Sequence, residues 1–405
     1  MRRKMLVSLA AAALACVIVV GRHALALTAA AQVPRQVPIF EVDPTWPKLP
    51  NNWVMGVVSA VAVDRHDNVW LLNRYRVGVP ENMKDRVAPP VLEFDAAGKF
   101  LQAWGGQAGA EGYEWPGQEH CLYVDEKDNV WIGGTAGRLD ATTPGSDDML
   151  LKLTTKGKVV LQIGRRGQST GPQDTKNVHG PADVFVYSKT NEVFVGDEGN
   201  LRVIVFDADT GAFKRMWSAF GNVPLGLPPA QGGARGTAAQ APGGAPQQAP
   251  VPGREGPQQF GATHAVRVSN DGLVYVADRA NRRIQVFTVD GKYVTQTFIN
   301  GSGPSNPSGL AFSPDPEQRF MYVAENETDH LVVVERKTLE VLYQFGKKSA
   351  IPGSRTSVTA TAPGEFQGIH YLAVDSRGNL YTSDVDSGNR VQRWIFKGLG
   401  RPPQP

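Results

Sequence analysis

The chain has 405 residues, with 42 lysines and arginines against 39 acidic residues, a formal charge of +3 and two cysteines. That length supplies a core that needs no disulfide staples. Removing residues 1–26 takes away four basic groups and no acidic one, so the rest of the chain carries −1 and lacks the basic footprint of a nucleic-acid binder.

Arg2, Arg3 and Lys4 precede an apolar run at 5–21 and an Ala24-Leu25-Ala26 site. A charged start, an apolar core and small residues at a cleavage point describe a secretory signal peptide over 1–26. The expectation is an exported protein, periplasmic or extracellular. An uncleaved N-terminal anchor is the alternative, because the apolar run approaches the length that spans a bilayer, and a membrane partner enters only with it. A lipoprotein signal at Cys16 fits less well, since apolar residues continue past it. Cleavage leaves Cys121 alone and no internal disulfide.

A strand-like run opens the segment 37–50 and belongs to no repeat. Six copies of one unit follow. They read VAVDRHDNVWLLNR (61–74) with VLEFDAAGKFLQAWGG (91–106), then HCLYVDEKDNVWIGGT (120–135) with MLLKLTTKGKVVLQIG (149–164). The third spans 183–217, the fourth 260–298, the fifth 310–345 and the last 370–396. The fourth is the clearest: runs at 265–268, 273–277, 283–287 and 293–298 alternate β-branched and aromatic residues and are separated by Asn, Asp and Gly. Those turn residues accept positive φ and make hairpins. An aromatic recurs at one point of the second run: Trp70, Trp131, Phe194, Tyr275, Tyr322 and Tyr381. One such sheet cannot bury both faces, so the copies must pack on one another. The expected fold is all-β, a six-bladed β-propeller of four-stranded antiparallel blades over 37–398. The last unit has three runs, at 370–375, 379–383 and 389–396, and the run at 39–42 is the candidate for its outer strand, closing the ring.

Three stretches interrupt the repeats. Residues 224–259 are Pro, Gly, Ala and Gln with few large apolar residues, the composition of a disordered insertion. The stretches 75–90 and 136–148 both leave a second strand, at the end where a ligand would enter.

Six histidines follow the leader: His66, His120, His179, His264, His330 and His370. His120, His264 and His370 each stand eight residues before a hairpin residue (Asp128, Gly272 and Gly378), on blades two, four and six. Equal phase puts three imidazoles at one height on the channel wall, about a third of a turn apart. Three converging imidazoles with solvent left for a fourth position are the ligand set of a catalytic zinc. Histidines that line a channel through hydrogen bonds alone are the alternative. His66 and His330 are expected in solvent, and His179 near the channel mouth.

The repeats resemble NHL repeats, most clearly in VYVADRANRRIQVF (274–287), and the order of blades from 57 to 396 resembles the lyase domain of the peptidylglycine α-amidating enzymes. The resemblance implies zinc on His120, His264 and His370, with substrate-binding arginines at Arg74 in WLLNRYR and Arg279 in the ADR turn. It implies cleavage of a peptidyl-α-hydroxyglycine, or a related α-hydroxy acid, to an amide and glyoxylate. A cation must hold the substrate carboxylate, and a guanidinium does so through paired bonds; ion pairs between blades are the other use for both arginines.

This sequence departs from the family at three places. The third-blade loop that carries the family's catalytic tyrosine reads GDEGNLR, leaving Tyr75, Glu198 and Tyr371 as candidate bases beside solvent acidified by the metal. A methionine is replaced by Gly368. The acidic ligand of a structural calcium is replaced by Tyr371, leaving the carbonyls of Val61 and Leu122 for that ion. The expected partner is a small molecule or a peptide C-terminus, bound by a monomer. The competing class is a non-catalytic extracellular propeller that binds a protein, peptide or small ligand. A lactonase-like hydrolase fits less well, because it holds its metal with carboxylates and an Asn.

Overall fold

The computed structural model describes residues 35–75, 77–107, 112–137, 145–225, 255–301, 303–350, 362–386 and 390–403. They fall into two units: 40–397, which holds the blades, and a small one of 35–39 with 398–403. The leader over 1–26 and most of the 224–259 insertion lie outside the described residues. Among those described, no helix is long and apolar enough to cross a membrane.

Hairpin chemistry sets the strands. Asp64, Asp125 and Asp375 close the first turn of blades one, two and six, each accepting from the backbone N–H groups two and four residues on, at 2.8–3.0 Å. The residue at the turn's tip is left-handed: Asp67, Asp128, Gly272 and Gly378 have φ of 63°, 61°, 80° and 86°. The second carboxylate oxygen reaches the recurring aromatic, as Trp70 and Trp131 donate to Asp64 and Asp125 at 2.9 Å and Tyr381 to Asp375 at 3.1 Å. All six of these aromatics are buried. Their regular phase comes from this anchoring and from packing between blades.

Blade four shows the plan: Thr263–Val268, Leu273–Asp278, Arg283–Thr288 and Tyr293–Phe298, each antiparallel to the next. Blades one, two, three and five repeat it, and consecutive innermost strands contact one another around the ring, the sixth meeting the first. Blade six has Ile369–Val374, Leu380–Asp384 and Val391–Gly400, with the N-terminal strand Val37–Asp43 as its fourth. Within the blade unit that strand is fastened by Asp43 to Arg393 at 2.6 Å, by Glu41 to Lys397 at 3.1 Å and by Phe40 stacked on Phe345 at 5.1 Å. The edge that blade six would expose is thereby covered.

Buried Arg–Asp pairs tie second strands to third. Arg202 meets Asp197 at 2.8 Å and Arg283 meets Asp278 at 2.9 Å, all four side chains sealed from solvent. Each guanidinium also collects backbone carbonyls, Asp174 and Asn177 for Arg202 and Pro257 for Arg283, so neither charge is left uncompensated.

Candidate metal centre

Every innermost strand carries one β-bulge at the same place, after its first or second paired residue. The extra residue is Ser59, His120, Ala182, His264, Ser308 and His370 in blades one to six. A bulge re-aims a side chain and bends the strand. Here six bulges form one tier in which histidine alternates with serine or alanine. His120 bonds through Nδ1 to the carbonyl of Ala182 at 2.9 Å, His264 to that of Ser308 at 2.6 Å, and His370 to that of Ser59 at 2.7 Å. Each even blade thus leans on the bulge residue of the next odd blade. A carbonyl only accepts, so each Nδ1 carries the proton and each Nε2 is the ring's lone-pair nitrogen.

The three rings lie 4.8–5.1 Å apart, centroid to centroid, and one ring nitrogen from each lies within 4.8 Å of the others. All three are buried. The donor set, with every Nδ1 held by an outer acceptor, fits zinc, whose histidine ligands commonly have such partners.

Both candidate arginines lie at this end of the blades, Arg74 against backbone beside the trio and Arg279 against asparagine side chains. Arg74 ends the second strand of blade one and donates through Nε to the carbonyl of Glu119 at 2.6 Å, one residue before His120. Arg279 donates to Asn306 and, at 3.3 Å, to Asn326, whose amide holds the carbonyl of Ile369 at 2.8 Å, one residue before His370. Both are blade-to-blade contacts, to a carbonyl and to amides.

The three candidate bases part company. Tyr75 lies toward the residues just past the outer strand of blade one, where a Cβ built on Gly106 would be 3.5 Å from its hydroxyl. Tyr371 points inward, its ring 5.0–6.0 Å from all three histidine rings and its hydroxyl donating to Ala182. Burial, with the charge of Asp183 next, holds that phenol well above its ordinary pKa. Glu198 is buried in the short turn after blade three's second strand, and its charge adds to the same shift.

Beside Glu198 stands a pair that sequence reasoning missed. His179 Nδ1 meets Asp148 Oδ1 at 2.6 Å, both buried. Asp148 is fixed by Ser146 Oγ at 3.0 Å and the Ser169 N–H at 2.8 Å, and the carbonyl of His179 accepts from Gly199 at 2.9 Å. The only sequence signal was that Asp148 ends the 136–148 interruption. His66 is exposed as expected, whereas His330 opens a third strand and is half-buried.

Gly368 has φ of 74°, and a Cβ there would lie 2.6 Å from the Asp386 carboxylate. A methionine at that position would strain the backbone and displace the Asp386 side chain.

A family described as "Lactonase, 7-bladed beta-propeller" matches residues 245–358, within which blade four and blade five lie. The chain is 26% identical over 369 residues to "NHL repeat-containing protein 3" of Homo sapiens, covering 88% of this chain and 84% of that protein. The Mus musculus protein of the same name is 25% identical over 365 residues, with the same coverage. Among solved structures, "Streptogramin B lyase structure" covers 88% of this chain and 98% of its own, with 12% identity and a TM-score of 0.49. The repeats are thus similar to NHL repeats, built into six blades.

Proposed function

We propose that this propeller is an exported zinc-dependent lyase that cleaves a peptidyl-α-hydroxyglycine, or a related α-hydroxy acid, to an amide and glyoxylate. The observation that carries the proposal is the tier of alternating bulges, with three imidazoles held by identical outer bonds around one axis. Zinc, when bound by His120, His264 and His370, supplies a Lewis acid for the substrate's carbinol oxygen.

The chain's other residues supply the rest. Arg74 is fixed against the backbone next to His120, and Arg279 against the Asn326 side chain that holds the carbonyl before His370, where a guanidinium can take the substrate's carboxylate. Glu198 takes the carbinol proton. As the new carbonyl forms, the carbon–nitrogen bond breaks and the leaving amide nitrogen takes up a proton. The His179–Asp148 pair, joined to the Glu198 turn through Gly199, holds that turn in place.

The test is glyoxylate release from a synthetic peptidyl-α-hydroxyglycine by the zinc-loaded protein, run beside calorimetric binding of a non-cleavable analogue. Release that disappears in His264→Ala supports the proposal. Binding without release favours a binding module, and the absence of both binding and release overturns the lyase.

A further inference from the structure

The axis beneath the histidines is filled by protein. Tyr371 starts from blade six, and its hydroxyl reaches the carbonyl of Ala182 in blade three, on the opposite side of the ring, so the side chain crosses the axis. It is fully buried and touches all three histidine rings. The carbonyl it meets is the one that fixes His120. The next residue, Asp183, stands in blade three where Tyr371 stands in blade six, one place after the bulge. Its Oδ2 is occupied by the Arg267 guanidinium and by the Val266 N–H at 2.8 Å.

These residues do not fit the structural calcium that the family resemblance implies. Calcium takes six to eight oxygen ligands. Here a phenol stands in place of the acid, and a guanidinium already neutralises the Asp183 carboxylate, leaving Oδ1 as its one oxygen without a hydrogen-bond partner among the described residues. We infer that Tyr371 closes the channel in place of a cation and, through the Ala182 carbonyl, is a positioning residue for His120. The calcium half stands on these contacts alone; the His120 half rests on the metal reading proposed above. The site is then open only at the end that carries Arg74, Arg279 and Glu198.

The experiment uses the full zinc-loaded chain. Calcium content and calorimetric calcium titration are measured on the wild type. Zinc affinity, by competition with a chromophoric chelator, and the visible spectrum of the cobalt-substituted protein are compared between wild type and Tyr371→Phe. The expected result is no calcium uptake, with a loss of about 10- to 100-fold in zinc affinity and an altered cobalt spectrum in the variant. One calcium per wild-type chain overturns the inference, as does a variant with unchanged zinc affinity and spectrum. A wild type that takes up neither metal ends the lyase proposal but supports the closed channel. Should Tyr371→Phe fail to fold, the wild-type calcium measurement still decides.

Discussion

Even and odd blades share one bulge in the innermost strand and differ in the side chain it carries. All six innermost strands bulge at one place, yet blades two, four and six put histidine there and blades one, three and five put Ser59, Ala182 and Ser308. The bulge therefore belongs to the fold, and the histidine is an addition to it. The odd blades contribute backbone carbonyls, which no side-chain substitution removes. Chemistry and support are divided between alternate blades.

The largest expected effect comes from breaking that division. His264→Ala should abolish stoichiometric zinc binding, whereas Ser308→Ala should leave it intact and cost about 1 kcal/mol in denaturant unfolding, for the loss of its hydroxyl bond to Ala324. Equal loss of zinc in both variants would erase the distinction. Next in size, Glu198→Gln should lower turnover by about 10²–10⁴ without changing analogue affinity, since a missing base affects the rate alone. His179→Gln, which disturbs only the support of that turn, should cost less. A His179 variant that loses more than Glu198→Gln would move the base to the dyad.

Arg279→Ala should weaken analogue binding by about ten- to a hundredfold, the cost of one charge-assisted bond, as read by calorimetry. The smallest effect concerns the second-to-third-strand anchors. Asp384 is pushed up to about 7 by burial, against the pull of Arg390 at 3.2 Å. Arg390 is 20% exposed, whereas Arg202 and Arg283 are sealed. A folded-state pKa above the ordinary carboxylate value means the folded chain binds the proton more tightly than the unfolded one. Asp384 therefore lowers stability as pH rises from about 4 to about 7, and has no further effect above that. Asp384→Asn should flatten the melting temperature across this window; an unchanged slope would exclude Asp384 as its source.

Much of this was legible in the sequence because the repeat fixes phase. The eight-residue spacing from His120, His264 and His370 to Asp128, Gly272 and Gly378 is the length from bulge to hairpin tip, so equal spacing meant equal height. The turn chemistry placed the blade-four strands within two residues of their bounds. The outer bonds to Ser59, Ala182 and Ser308 could not be read, because a carbonyl acceptor leaves no mark on residue type. Nor could the directions of two tyrosines, one turned outward at Tyr75 and one across the axis at Tyr371. Asp148 and His179 meet only because two loops of adjacent blades close on each other.

The central claim is that three histidines from alternate blades hold one zinc ion. Zinc-edge absorption spectroscopy on the purified, zinc-loaded chain tests it most directly, with metal content measured on the same sample. The account predicts one zinc per chain with three nitrogen neighbours at about 2.0–2.1 Å, and no bound zinc in His264→Ala. No stoichiometric zinc, or a shell of carboxylate oxygens without imidazole, would contradict it.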